Sequence, residues 1–101
     1  MFVYNITLKV DKEISLQWIK WLRQEFIPEI MATQLFNENK FFELLEPGDI
    51  NASTFVLQYF TDSKEKYNTY IDEYAHSITK KAVQKWGDNF VIFKTLMQTV
   101  Q

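Results

Sequence analysis

Residues 2–10 have the sequence Phe-Val-Tyr-Asn-Ile-Thr-Leu-Lys-Val. Every even position of this stretch carries an apolar side chain, while Val3, Asn5, Thr7 and Lys9 occupy the odd positions. Because successive side chains of a strand point to opposite faces, the alternation predicts a β-strand with one fully apolar face.

Two helical patterns and three further β patterns follow this strand. Apolar residues at helical spacing predict a first helix over about residues 12–26, with Asp11 as its cap, and Pro28 predicts a kink or a separate short turn at Ile27–Thr33. A capping signal at Asp62-Ser63 predicts a long second helix that ends near Trp86-Gly87. Strands are predicted at Phe36–Leu45, Thr54–Thr61 and Phe90–Val100, with a turn at Pro47-Gly48-Asp49.

The predicted order is therefore β, α, β, β, α, β, the split βαβ arrangement of ferredoxin-like α+β domains. Right-handed crossovers place the first and third strands at the centre of a four-stranded antiparallel sheet, and both helices cover one face. We expect residues 1–101 to form a single domain of this kind.

The last two strands are apolar on both faces, which indicates a partner for the sheet. Phe55, Leu57 and Tyr59 oppose Val56 and Phe60 on the third strand. The fourth strand carries Phe90, Ile92 and Leu96 on one side and Val91, Phe93 and Met97 on the other. Two such sheets packed face to face would bury the second surface. We therefore expect a homodimer that forms a dimeric α/β barrel through the open sheet face.

Composition excludes several classes of function. A net charge of -2 offers no footprint for nucleic acid, and no stretch is apolar enough to span a membrane. The chain has no cysteine, so thiolate metal sites and cysteine nucleophiles are absent, and a cytoplasmic location is expected. No metal-spacing motif, catalytic triad or phosphate-binding glycine loop is present, and we predict neither a metal nor a cofactor.

Five short motifs occur together in matching order and spacing over nearly the whole chain. They are Tyr4-Asn5-Ile6-Thr7, Trp18-Ile19-Lys20-Trp21, Ile27-Pro28-Glu29-Ile30-Met31-Ala32-Thr33, Gln58-Tyr59-Phe60 and Phe93-Lys94-Thr95-Leu96. With this set the chain resembles a short bacterial family catalogued as domain of unknown function 4286. The resemblance implies membership of the dimeric α/β-barrel superfamily and supplies no activity.

The chain departs from the family pattern at three positions. The family usually has histidines at the positions of Phe26 and Tyr74, and neither of these side chains can replace imidazole as a metal ligand or proton carrier near pH 7. A site built on those histidines would be lost here. The usual glycine after Ala-Thr is Gln34, which raises a question about the local backbone turn.

Five residues are candidates for lining an aromatic pocket between the helices and the sheet: Asn5, Trp21, Tyr67, Tyr74 and His76. The leading hypothesis is a homodimeric binding or accessory protein that takes a small apolar or aromatic ligand. Each candidate also has a structural interpretation, since Trp21 can pack beside Trp18 and the tyrosines can belong to the core, while a lone helical histidine is commonly solvated.

The alternative hypothesis is a monooxygenase-like oxidoreductase. The superfamily resemblance implies that Asn5, Trp21 and Tyr67 could polarise a substrate for oxygen attack without a cofactor. Haem-degrading members are similar in having an Asn on the first strand and a His after Ala, as in Asn5 and Ala75-His76, but their tryptophan position holds Lys66 or Tyr67 here. Either enzyme would require Asn5 to converge with Tyr67 or His76.

Overall fold

The computed structural model describes residues 1–101 and contains a four-stranded antiparallel sheet of order β2-β3-β1-β4. The strands are β1 at Phe2–Asp11, β2 at Glu38–Leu44, β3 at Ala52–Thr61 and β4 at Phe90–Gln98. The predicted order of elements and the central position of the first and third strands are confirmed. Strand β2 begins two residues later than predicted, because Phe36 instead turns into the core.

The first helix starts later and continues further than predicted. A 3₁₀ turn at Lys12–Ile14 precedes α1 at Ser15–Trp21, and Asp11 makes no side-chain capping bond. The helix then runs through a π-helical turn at Leu22–Phe26 into α2 at Ile27–Met31.

Pro28 therefore does not interrupt the first helix. In the π-helical turn the N–H of Ile27 bonds to the carbonyl of Leu22, five residues earlier. A proline ring clashes with the carbonyl four residues before it in a regular helix. The wider π turn just ahead of Pro28 relieves that clash and allows the helix to continue.

The second helix runs as predicted between Ser63 and Gly87. It consists of α3 at Lys64–Tyr70, a π-helical turn at Ile71–Ala75 and α4 at His76–Trp86. The Ser63 hydroxyl accepts a hydrogen bond of 3.1 Å from the N–H of Lys66, which is a typical N-cap. Gly87 ends the helix with φ at 59°, where a side chain would be strained.

Both helices cover the same face of the sheet and enclose the core between them. The strands contribute even-numbered residues of β1 and odd-numbered residues of β3, and the helices contribute their apolar stripes. The largest fully buried side chains are Trp18, Tyr4, Tyr59, Tyr70, Phe55, Ile6, Leu8, Leu22, Ile30, Leu57 and Val10. The opposite face of the sheet, called the open face below, is covered by no element of the chain.

Candidate functional site

Asn5 lies on the open face, in the middle of β1. It stands directly opposite Gln58 on β3 and Thr95 on β4. The Gln58 amide donates a hydrogen bond of 3.3 Å to the Asn5 carbonyl oxygen, and the Asn5 amide donates one of 3.3 Å to the Thr7 hydroxyl. Asn5 therefore points away from the helices.

The other four predicted site residues lie on the helix side of the sheet. His76 is exposed at the start of α4 and makes no hydrogen bond or ion pair. Tyr67 and Tyr74 lie on the second helix, and Trp21 is buried at the end of α1. The five residues predicted to line one pocket are thus divided between two faces and do not form one site within a protomer.

Trp21 belongs to a tryptophan cluster that seals one end of the core. Its ring centroid lies 5.4 Å from that of Trp18 and 5.9 Å from that of Trp86, and Phe26 packs 5.2 Å away. Trp18 is fully buried and also contacts Phe90 at 5.0 Å. These contacts match the structural interpretation in which Trp21 packs beside Trp18.

A second aromatic cluster, the tyrosine cluster, fills the other end of the core. Tyr4 lies at its centre, 5.5 Å from both Tyr67 and Tyr70, 6.0 Å from Phe36 and 6.3 Å from Tyr59, measured between ring centroids. The strand alternation places Tyr4 with Ile6 and Leu8 on the apolar face of β1, as predicted. The alternation does not indicate that Tyr67 and Tyr70 of the second helix meet Tyr4 there.

The hydroxyls of Tyr4 and Tyr59 are buried and have no hydrogen-bond partner in the protein. Burial raises the pKa of both phenols, and of Tyr70, far above their ordinary value. These groups are therefore neutral at physiological pH. Rings packed this closely leave little room for a ligand among them, so the cluster is a packed interior with two unsatisfied hydroxyls.

One shallow groove gives access to this end of the molecule from solvent. It has a volume of about 250 Å³ and is lined by Glu29, Ala32, Thr33, Tyr74, Ser77 and Ile78. Tyr74 stacks on Tyr70 at 6.3 Å, so its exposed ring continues the tyrosine cluster outward. An ion pair of 2.6 Å between Lys81 and Glu29 joins the two helices beside the groove.

The two positions at which the family resemblance implies histidine both fall in π-helical turns. Phe26 ends the turn in the first helix and is buried, whereas Tyr74 lies in the turn of the second helix and is exposed. No group of three metal-ligating side chains occurs in the structure. Phe26 therefore packs in the core, and Tyr74 lies at the surface.

The open face carries large apolar side chains in contact with solvent. Phe93 is 59% exposed and Val91 50% exposed on β4, and Phe42 is 46% exposed on β2. Val56 and Phe60 of β3 and Met97 of β4 lie on the same face. The predicted division of apolar residues between the two faces is confirmed.

Antiparallel strands in the order 2-3-1-4 with two helices on one face define the ferredoxin-like class of α+β proteins. Residues 1–100 match the family described as Domain of unknown function (DUF4286), and the chain belongs to that family. Among curated proteins, none matches the sequence significantly. None of the helices combines the length and the apolar character that crossing a membrane requires.

Solved structures of low sequence identity share the fold. An ethd family protein from Bacillus halodurans is 14% identical, with a TM-score of 0.69 over 99% of this chain and 100% of its own. A dimeric ferredoxin-like protein from an uncultured marine organism is 9% identical, with a TM-score of 0.67 over 99% of this chain and 96% of its own. SnoaB, a cofactor-independent oxygenase from Streptomyces nogalater, is 8% identical, with a TM-score of 0.64 over 99% of this chain and 94% of its own.

Proposed function

We propose that the protein acts as a homodimeric accessory protein that associates through its open face and forms a dimeric α/β barrel. The observation that carries this proposal is the group of large apolar side chains that are exposed on the uncovered face of the sheet. A monomer would expose this surface permanently, which soluble monomers rarely do. A second copy presents the same surface and covers it with closed two-fold symmetry.

The size of the open face suits a dimer. The four strands are 10, 7, 10 and 9 residues long. With a spacing of about 4.8 Å between strands and about 3.3 Å per residue, they span a flat area of roughly 600 Å². Side-chain relief increases the accessible area, which brings each partner near the roughly 800 Å² typical of a specific interface. Two sheets in this arrangement pack about 10 Å apart.

A small apolar or aromatic ligand is the second part of the proposal. The groove beside Tyr74 supports it, because an exposed phenol ring that extends a stacked cluster offers a surface for another aromatic ring. The volume of about 250 Å³ limits the ligand to a small molecule.

The alternative, a monooxygenase-like oxidoreductase, is supported by likeness of fold to an oxygenase and not by the placement of Asn5, Tyr67 and His76. Fold alone does not carry an activity, because one architecture hosts many unrelated functions. The accessory function is therefore the one that the side chains favour.

The test compares two substitutions at exposed apolar residues. Phe93→Asp places a charge on the open face, whereas Leu16→Asp places the same charge on α1, where Leu16 is 82% exposed. We expect native mass spectrometry and light scattering to show a dimer of 12.1 kDa chains for the unmodified protein and for Leu16→Asp. Phe93→Asp should weaken dimerisation by about 100-fold or more, because a charge buried in an apolar interface is costly.

The same spectra test the ligand. An added mass that Tyr74→Ala removes would support binding at the groove, and a bare dimer would reject the ligand part alone. A monomeric unmodified protein, or a Phe93→Asp variant that dimerises as well as Leu16→Asp, would refute association through the open face.

A further inference from the structure

A row of polar side chains crosses the centre of the open face at right angles to the strands. Strand register places Lys40 opposite Gln58, Gln58 opposite Asn5, and Asn5 opposite Thr95. We call these four residues the polar row. It contains one residue from every strand of the sheet.

The rows on either side of the polar row are mainly apolar. On one side lie Glu38, Phe60, Val3 and Met97, and on the other lie Phe42, Val56, Thr7 and Phe93. The polar row is therefore a hydrophilic stripe between two apolar ones. Residues on one face of a strand repeat every second position, so neighbouring rows lie about 7 Å apart.

The two amides at the centre keep unused hydrogen-bonding capacity. Gln58 donates to Asn5, and Asn5 donates to Thr7, each at 3.3 Å. Each amide nitrogen has a second N–H, and the Gln58 carbonyl oxygen accepts no bond within the protomer. The Thr95 hydroxyl is likewise unpaired in the chain. In a monomer water can serve these groups, but a dimer interface would bury them.

We infer that the polar row fixes the register in which two copies pack, an inference that rests on the proposed dimer. In a face-to-face pair the two-fold axis lies in the plane between the sheets. An axis that passes through the row brings Asn5 and Gln58 of one copy against the same amides of the other, where amides can both donate and accept.

A slide of one row along the strands would bury at least one of the two amides against an apolar side chain. In one direction Asn5 and Gln58 would lie over Val3 and Phe60, which offer no hydrogen bond. In the other direction Asn5 would lie over the Thr7 hydroxyl, but Gln58 would lie over Val56 and remain unpaired. The apolar rows alone do not distinguish these registers, because each presents similar side chains. Specificity therefore comes from the penalty on unpaired amides, as with a single buried Asn in a coiled coil.

The chain has no native cysteine, so the register can be measured with one engineered label. A spin label at Gln84→Cys, on the exposed side of α4, reports the distance between the two copies by pulsed electron paramagnetic resonance. We expect one narrow distance population in this background. The double variant Asn5→Val, Gln58→Val should stay dimeric and show at least two populations, displaced by several ångström.

Thr54→Val is the matched control, since Thr54 lies on the open face outside the polar row and makes no side-chain hydrogen bond. It should keep the single population. Gln58→Val alone is a milder variant for use if the double variant does not fold, and it should also broaden the distribution.

The outcomes separate the two proposals. A monomeric background protein would refute the dimer and the register inference together. A dimeric background whose double variant keeps one narrow population, or becomes monomeric, would refute the role of the polar row and leave the dimer intact. Broadening by Thr54→Val equal to that of the double variant would also refute it.

Discussion

Tyr4 and Tyr59 lie side by side on neighbouring strands, with ring centroids 6.3 Å apart, and neither buried hydroxyl has a hydrogen-bond partner in the protein. A buried hydroxyl without a partner loses its bonds to water and gains none, which costs about 1 to 3 kcal/mol. The rings stabilise the core by packing, while the hydroxyls oppose folding.

We expect Tyr59→Phe to raise the free energy of unfolding by up to about 1 kcal/mol, because it removes the unsatisfied hydroxyl and keeps the ring. Urea denaturation followed by circular dichroism measures the change. Tyr67→Phe is the control, since Tyr67 is only half-buried and its change should stay within about 0.5 kcal/mol. A clear loss of stability in Tyr59→Phe would mean that its hydroxyl is hydrogen-bonded in solution.

Stability should fall steeply in alkali because of three buried tyrosines. Burial, and then neighbouring phenols, raise the pKa of Tyr4, Tyr59 and Tyr70 in the folded state. Below about pH 10 these groups are protonated in both states, so their contribution is fully present. Above it the unfolded chain releases protons that the folded protein retains, and unfolding becomes easier by about 1.4 kcal/mol per pH unit for each tyrosine.

Urea unfolding at a series of pH values, with tyrosinate absorbance, measures this slope. Tyr59→Phe should reduce it by about a third, since one of three groups is removed. Lys94 has the opposite effect on the pH dependence of stability, because partial desolvation lowers its pKa in the folded state. Its contribution to stability rises with pH only up to the ordinary lysine pKa of about 10.4, so it does not offset the loss from the tyrosines at higher pH. Tyrosinate from these three residues in a still folded protein would contradict the prediction.

The sequence predicts the fold well because two periodicities are strong. Alternation in β1 and the helical stripe of the second helix each match one element, and Ser63 and Gly87 mark the ends of that helix. The two π-helical turns are not predicted, because a 3,4-spaced apolar pattern assumes a regular helix. In the second helix the buried residues step from Tyr70 to Ala75, five positions further on, while Tyr74 is exposed.

The candidate site is predicted less well, because each periodicity concerns one element only. The helical stripe does not say which face of the sheet Tyr67 meets, and strand parity does not say which face a helix covers. Asn5 alternates with Tyr4 and Ile6, which pack under the helices, so its own side chain faces the opposite way. This relation separates Asn5 from Tyr67 and His76.

His76→Ala should leave stability within about 0.5 kcal/mol of the unmodified protein, because the imidazole is exposed and makes no hydrogen bond or ion pair. Ile78→Ala, two residues further along α4, should cost about 2 to 5 kcal/mol, since Ile78 is only 3% exposed. Thermal unfolding at neutral pH measures both. A large effect of His76→Ala would contradict the placement of His76 as an exposed side chain without a partner.

Gln34 follows the end of the first helix with φ at 62°, in the left-handed region that favours glycine. The turn that glycine would form is therefore present, and Gln34 carries its strain, which amounts to about 1 kcal/mol for a residue with a Cβ. We expect Gln34→Gly to raise the free energy of unfolding by a few tenths to about 1 kcal/mol. Glycine removes the backbone strain of the folded state, and this gain exceeds the cost of the greater conformational entropy of the unfolded chain. Gln84→Gly is the matched control, because Gln84 is also exposed but lies within α4, where glycine should destabilise by roughly 0.5 to 1 kcal/mol. Urea denaturation of both variants gives the comparison. If Gln34→Gly destabilises the protein as much as Gln84→Gly does, the backbone at residue 34 is not left-handed in solution.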